Sequence, residues 1–265
     1  MTVGEGVAAA AGVAVALAVI TWLAWSAVGI AGIYAEKRKR PTWGPLEAAL
    51  ETFMAVICRW WHRLPPPSPA DPPALPPTGP ALLVAPHRTS LDPFLIYDRS
   101  NRQIRFLVAK EFTRIPLIGT FLRLAGTIPV DRKAADVSAV KAALRVLKDG
   151  DVVGLFPEGG IIETGESAHV RHGAAMMALR TGVPVIPACI GGIRPSGRVF
   201  RGLIRRSPGA RVVFGPPVDL SEFRGRRPGP AELEAATRKI MEAVNALAEC
   251  LPPEARLPAH VPPMH

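Results

Sequence analysis

A chain of 265 residues, 48% of them hydrophobic, can bury the core of one large domain with appendages. Three widely separated cysteines, Cys58, Cys189 and Cys250, match neither a disulfide framework nor a zinc-site spacing, which points to a reducing compartment. The net charge of +10 implies attraction to anionic membrane, acidic small molecules or nucleic acid, but an aromatic content of 6%, partly in apolar N-terminal segments, argues against a base-stacking nucleic-acid binder.

Gly6 to Ala35 carries no charge and is rich in Ala, Val, Ile, Leu and Trp. At ~1.5 Å per residue it is long enough to cross a hydrocarbon core of ~30 Å. The run Lys37-Arg38-Lys39-Arg40 follows it, and no Lys or Arg precedes it, so the positive-inside rule puts the rest of the chain in the cytoplasm. A cleaved signal peptide would need a basic start and a shorter apolar core. Residues 1–40 therefore read as a single-pass anchor in the cell membrane.

In residues 41–64, Leu46, Leu50, Phe53, Met54, Ile57, Trp60, Trp61 and Leu64 recur at helical spacing among Glu47, Glu51, Arg59 and Arg63. This predicts one amphipathic helix from Pro45 to Leu64, suited to a lipid interface or to docking on the domain that follows. Residues 65–80 form a proline-dense, semi-rigid linker. From 81 to 251, apolar runs at 82–85, 104–108, 127–130, 152–156, 183–190 and 211–214 alternate with helical patterns. In one of these helices, 135–148, Val137, Val140, Leu144 and Leu147 share a face; in the last, 231–251, Leu233, Ile240, Val244 and Leu247 do. The fold class is α/β, with a central mostly parallel or mixed sheet wrapped by helices. A loose tail, 252–265, closes the chain.

Ala81 to Pro93 delivers a histidine, His87, and five positions later an aspartate, Asp92. Pro86 stops the strand, and Ser90, Asp92 and Pro93 open a helix, so His87 falls at a strand's carboxyl end, the edge where open α/β sheets bind ligands. A carboxylate on one imidazole nitrogen orients the ring and stabilises the imidazolium, leaving the other nitrogen to deprotonate a hydroxyl. Taken alone, the pair also reads as a loop histidine beside an N-cap. Arg132 ends the stretch Gly126 to Arg132, where a bidentate donor could hold a phosphate or simply meet solvent. Phe156-Pro157-Glu158-Gly159-Gly160 ends another strand with a carboxylate and two glycines that allow close backbone approach to a ligand, or a plain turn. The prolines of Val183 to Pro187 confine that run to an edge strand or irregular backbone.

In this order, these four blocks resemble the glycerolipid acyltransferases of the 1-acylglycerol-3-phosphate O-acyltransferase type, over about Pro80 to Gly215. The resemblance puts the family's His-x4-Asp on His87 and Asp92, its phosphate-binding arginine block on Gly126 to Arg132, and its Phe-Pro-Glu-Gly on Phe156 to Gly159. It implies transfer of a fatty acyl group from acyl-CoA or acyl carrier protein to the hydroxyl of a membrane lysolipid, first of all lysophosphatidic acid. It requires no cofactor and no metal. Gly160 and Ile161 replace the Thr-Arg that usually follows in the family, removing a cation from the acceptor side, and Arg171 before Gly173 could compensate. Backbone N–H groups near Gly159 and Gly160 are candidates for the oxyanion. A serine hydrolase would need a nucleophile elbow, and Gly165-Glu166-Ser167-Ala168-His169 lacks its second glycine. His169 and His172 lack a third zinc ligand. A membrane adaptor that kept the fold would have no need of the His87/Asp92 pair.

Overall fold

The computed structural model describes residues 3–38, 44–65, 73–131, 136–161, 170–196, 199–223 and 228–256. The chain divides into two compact units, Met1–Val56 and Ile57–His265. The first holds helices α1 (Val3–Arg38) and α2 (Pro45–Val56). Within α1, Ala18–Arg38 has a mean hydropathy of 1.6 over a membrane-spanning window and is only 6% buried, so by length and composition it can cross a bilayer. Lys37 and Arg38 close its last turn, where cations complement the helix dipole.

The second unit is built on a six-stranded sheet: β1 (Ala81–Val84), β2 (Ile104–Ala109), β3 (Ile128–Val130), β4 (Val152–Leu155), β5 (Val185–Gly191) and β6 (Arg211–Phe214). Their order is β3-β2-β4-β1-β5-β6, parallel throughout except for the β5–β6 pair. All six strands fall on the runs expected from the sequence. β1 is apolar at every position because both faces are covered. Leu82 and Val84 point to one face, under α5 (Val137–Lys148), α6 (Gly173–Thr181) and α8 (Pro230–Glu249). Ala81 and Leu83 point to the other, against α3 (Asp92–Arg99), Cys58, Leu64 and Leu75. Two shorter helices, α4 (Ile118–Leu124) and α7 (Val199–Ile204), lie in the connections after β2 and β5.

The proline-bearing run differs from expectation: β5 is interior, between β1 and β6, and buried throughout. Pro187 is tolerated because its carbonyl accepts from Gly215 N on the β6 side, so its ring nitrogen faces that side too, just past the last β5–β6 pair, Ala188 with Phe214. The buried face of α5 also differs. Asp136 caps the helix through the N–H groups of Ser138 and Ala139, and Ala139, Ala143 and Leu147 go inward while Val137 is 62% exposed.

The helix expected over 45–64 is α-helical only to Val56, and a π-helical turn, Ile57–Trp61, continues it within the second unit. There Cys58 and Leu64 enter the core and Arg59 pairs with Asp98 at 3.0 Å. The described end of the proline-rich stretch is docked as well. Leu75 exchanges two backbone bonds with the Asn101 amide, and the Arg102 guanidinium donates to the carbonyls of Pro76, Gly79 and Gly150. The tail is not loose at its start: Ala255 is buried, and its carbonyl accepts from Gly192 N at 2.8 Å. Residues 257–265 lie outside the described residues.

Candidate active site

His87 leaves β1 at its carboxyl end, and Asp92 is the first residue of α3. Pro93 sits in the first turn of α3, where a missing N–H removes no helix bond. The chain folds back within five residues, bringing His87 Nδ1 to 3.0 Å from Asp92 Oδ2. Asp92 is fully buried and well satisfied: Oδ2 also accepts from the N–H groups of Arg88 (2.6 Å) and Thr89 (2.8 Å), and Oδ1 accepts from the Thr89 hydroxyl (3.2 Å). Thr89 Oγ1 in turn accepts from Leu91 N. A carboxylate held by this many donors is fixed in one orientation. With Nδ1–H given to Asp92, the lone pair of His87 is on Nε2, which takes no hydrogen bond from the described residues, on a side chain 17% exposed.

The imidazole lies on an aromatic shelf. Phe156, directly after β4, stacks on His87 with ring centroids 4.1 Å apart at 14°, and Phe106 of β2 stacks on Phe156 at 5.4 Å. In the sequence, Phe156 stands out only as part of the Phe-Pro-Glu-Gly-Gly block. Its shelf role depends on the pairing of β1 with β4, which the chain order conceals.

Glu158 and Gly159 follow β4 at the same sheet edge. Glu158 keeps some surface in solvent, but its Oε2 is shielded and has no hydrogen-bond partner among the described residues. Burial pushes its carboxyl up to about 7, against the pull of backbone N–H groups and the charges of His87 and Arg88. Gly159 has φ +71°, and a side chain there would also meet Arg171, whose Nε would lie 2.9 Å from the added Cβ. The structure therefore brings His87, Asp92, Glu158, Gly159, Gly160 and Arg171 to one edge of the sheet. Arg132, the second residue after β3, lies outside the described residues, as do Gly165 to His169. The Gly159 N–H, one of the two candidates for the oxyanion, donates to Phe156 O at 3.0 Å within the turn.

Arg88 is buried beside the loop, its carbonyl accepting from Ser196 N. Burial pushes the Cys189 thiol up to about 11, so it is protonated near neutral pH and is no thiolate nucleophile. His172 Nδ1 is 3.0 Å from the Thr237 hydroxyl, a structural contact.

Glu158 predicts a pH dependence of stability. A carboxyl raised in the folded state ionises first in the unfolded chain, so stability is greatest below the ordinary glutamate value of 4.5 and falls as the pH rises towards about 7. Glu158→Gln should flatten that fall and stabilise the protein at pH 8 by at most about 3 kcal/mol. Denaturation midpoints across this range check it; an unaltered pH slope would mean that Glu158 titrates as a solvated carboxyl.

Residues 70–191 match the family model described as Acyltransferase. The 1-acyl-sn-glycerol-3-phosphate acyltransferase of Streptococcus pneumoniae is 32% identical over 145 residues, covering 54% of this chain and 52% of that protein. Its Bacillus subtilis counterpart is 28% identical over 145 residues, covering 55% and 69%. The crystal structure of the 1-acyl-sn-glycerophosphate acyltransferase from Thermotoga maritima matches with a TM-score of 0.54 at 21% identity, covering 77% of this chain and 81% of that one, and shares the fold. The chain spans about half the length of the pneumococcal relative. The His-x4-Asp pair closed at the carboxyl edge of the sheet and the Phe-Pro-Glu-Gly turn beside it both fall within residues 70–191, the stretch that matches the Acyltransferase model, and the chain is similar there to relatives named 1-acyl-sn-glycerol-3-phosphate acyltransferase.

Proposed function

We propose that this protein is a membrane-bound acyltransferase that moves a fatty acyl group from acyl-CoA or acyl carrier protein to the free hydroxyl of a lysophospholipid, with lysophosphatidic acid as the leading acceptor. The observation that carries the reading is the 3.0 Å contact between His87 Nδ1 and the buried Asp92 carboxylate. His87 Nε2 takes the proton of the acceptor hydroxyl as its oxygen attacks the thioester carbonyl carbon. The resulting imidazolium, stabilised by Asp92, returns the proton to the departing thiolate, giving an ester and a free thiol. This sequence needs no covalent enzyme intermediate and no cofactor. The apolar α1 supports attachment to the membrane that holds the acceptor, with the catalytic domain on the cytoplasmic side given the basic run after it.

A second reading of the acceptor is favoured by one residue. Ile161 stands where the family's second cation is expected, so Arg132 and Arg171 are left to meet the headgroup. If the acceptor is a phosphate monoester, which approaches two charges near neutral pH, Arg132→Ala raises its KM steeply and Arg132→Lys rescues poorly, because a point charge does not reproduce the guanidinium fork. The test is kcat/KM for lysophosphatidic acid, lysophosphatidylglycerol and an uncharged monoacyl lipid, with both donor types, in wild type and Arg132→Ala. A wild-type preference for the phosphodiester or uncharged lipid assigns a different lysolipid as acceptor. No transfer to any of them would overturn the acyltransferase reading.

A further inference from the structure

On the α3 side of the sheet, two distant parts of the second unit meet at the surface. The turn Ile57–Trp61 lies against α7: Trp61 donates its indole N–H to Ile204 O at 2.7 Å, and His62 Nε2 is 2.9 Å from Leu203 O. Arg206 donates to the Trp61 carbonyl at 3.0 Å, with its guanidinium carbon 5.2 Å from the indole centroid. The polar atom of Trp61 is thus occupied inside the protein while its ring stays outside. Trp60, Trp61 and Ile204 keep 42%, 46% and 63% exposure. Arg201, Arg205 and Arg206 are exposed beside them, and neither 57–64 nor 199–207 contains an acidic residue.

Behind this surface is the loop that joins His87 to Asp92. Gly202 of α7 is buried, and a Cβ there would stand 2.8 Å from Ser90 Oγ and 3.3 Å from Ser90 N and Thr89 Cβ. Thr89 is the residue whose N–H and hydroxyl hold the Asp92 carboxylate. α7 therefore has the candidate catalytic loop on one side and the exposed apolar and cationic side chains on the other.

Exposed indoles ringed by arginine, with no acidic residue in either contributing segment, match the headgroup layer of an anionic bilayer: the ring sits between water and acyl chain, and each guanidinium takes a phosphate. We propose that Trp60, Trp61 and Ile204, with Arg201, Arg205 and Arg206, form a docking surface for an anionic lipid bilayer, backed on the Thr89–Ser90 turn so that a lysolipid reaches His87 from the membrane plane. The entry of the lysolipid rests on the proposed function above. The contact with lipid does not.

The test uses the full chain, held in the bilayer by its own N-terminal helix, so that the readout is local contact and not attachment. Cys250, the exposed cysteine among three, is replaced by Ser, and a spin label is placed at Ile204→Cys or, as a control on the opposite sheet face, at Val137→Cys. In proteoliposomes containing phosphatidylglycerol, the label at position 204 should be at least about fivefold less accessible to an aqueous nickel relaxant than the label at 137. Arg201→Glu with Arg205→Glu, or pure phosphatidylcholine vesicles, should restore access. Equal access at the two positions in anionic vesicles would overturn the proposal and leave the patch to a protein or nucleic-acid partner. Shielding that persists in phosphatidylcholine and in the charge reversal would equally overturn the anionic docking surface. A label at Trp60→Cys repeats the measurement if the Ile204 variant does not fold. No turnover is needed, so shielding without acyl transfer would count against the enzyme assignment alone.

Discussion

His87→Ala is expected to lower acyl transfer about 10²- to 10⁴-fold, the usual value of a positioned general base, while the protein folds and stays attached to membrane. The separation of effects follows from what the imidazole touches. It is a rim side chain, 17% exposed, resting on Phe156 and bonded only to Asp92 among the described residues. Removing it exposes one face of Phe156 but leaves the Asp92 carboxylate with the Arg88 and Thr89 N–H groups and the Thr89 hydroxyl, so no buried charge is orphaned. The melting temperature should therefore stay close to wild type. Turnover of purified wild type and variant, compared at matched membrane content with the best acceptor, checks the result; near wild-type turnover in the variant would remove His87 from the chemistry.

Much of the sheet was legible because interior parallel strands announce themselves as apolar runs, and all six runs became strands. The pairing order was not legible, and the site depends on it. Phe156 and Glu158 reach His87 because β4 lies beside β1, though β2 and β3 separate them in the chain. The proline of β5 misled because a proline is excluded only where its N–H would be needed, and Pro187 falls just beyond the β6 ladder. The His87/Asp92 contact was legible for the opposite reason: it is local, set by a strand end and a helix start five residues apart. The turn at Gly159 was not legible either: the glycine that allows φ +71° also gives its N–H to Phe156 O. Trp60 and Trp61 have the composition of a lipid-facing stripe, yet hydrogen bonds from Trp61 and His62 to α7 decide how that stripe is presented.

Asp92 separates charge from geometry, and its two substitutions should fail differently. In Asp92→Asn the amide oxygen can take the place of Oδ2, still accepting from His87 Nδ1, Arg88 N and Thr89 N, with the NH₂ turned to Thr89 Oγ1. The ring keeps its tautomer and loses only the negative charge opposite the imidazolium. A charge-assisted bond is worth about 1.5–3 kcal/mol, so the rate should fall about 10- to 10²-fold with little change in stability. Asp92→Ala removes the acceptor itself. Two buried N–H groups are then left without a partner at about 1–3 kcal/mol each, which for a domain of this size lowers Tm by about 5–15 °C. His87, no longer held, should lose activity on the scale of its own alanine variant. Single-turnover rates and melting curves of both variants distinguish the two roles. If Asp92→Asn were as inactive as His87→Ala while folding normally, the carboxylate would act chiefly by selecting the tautomer; if it transferred acyl groups at the wild-type rate, the charge of Asp92 would have no part in the reaction.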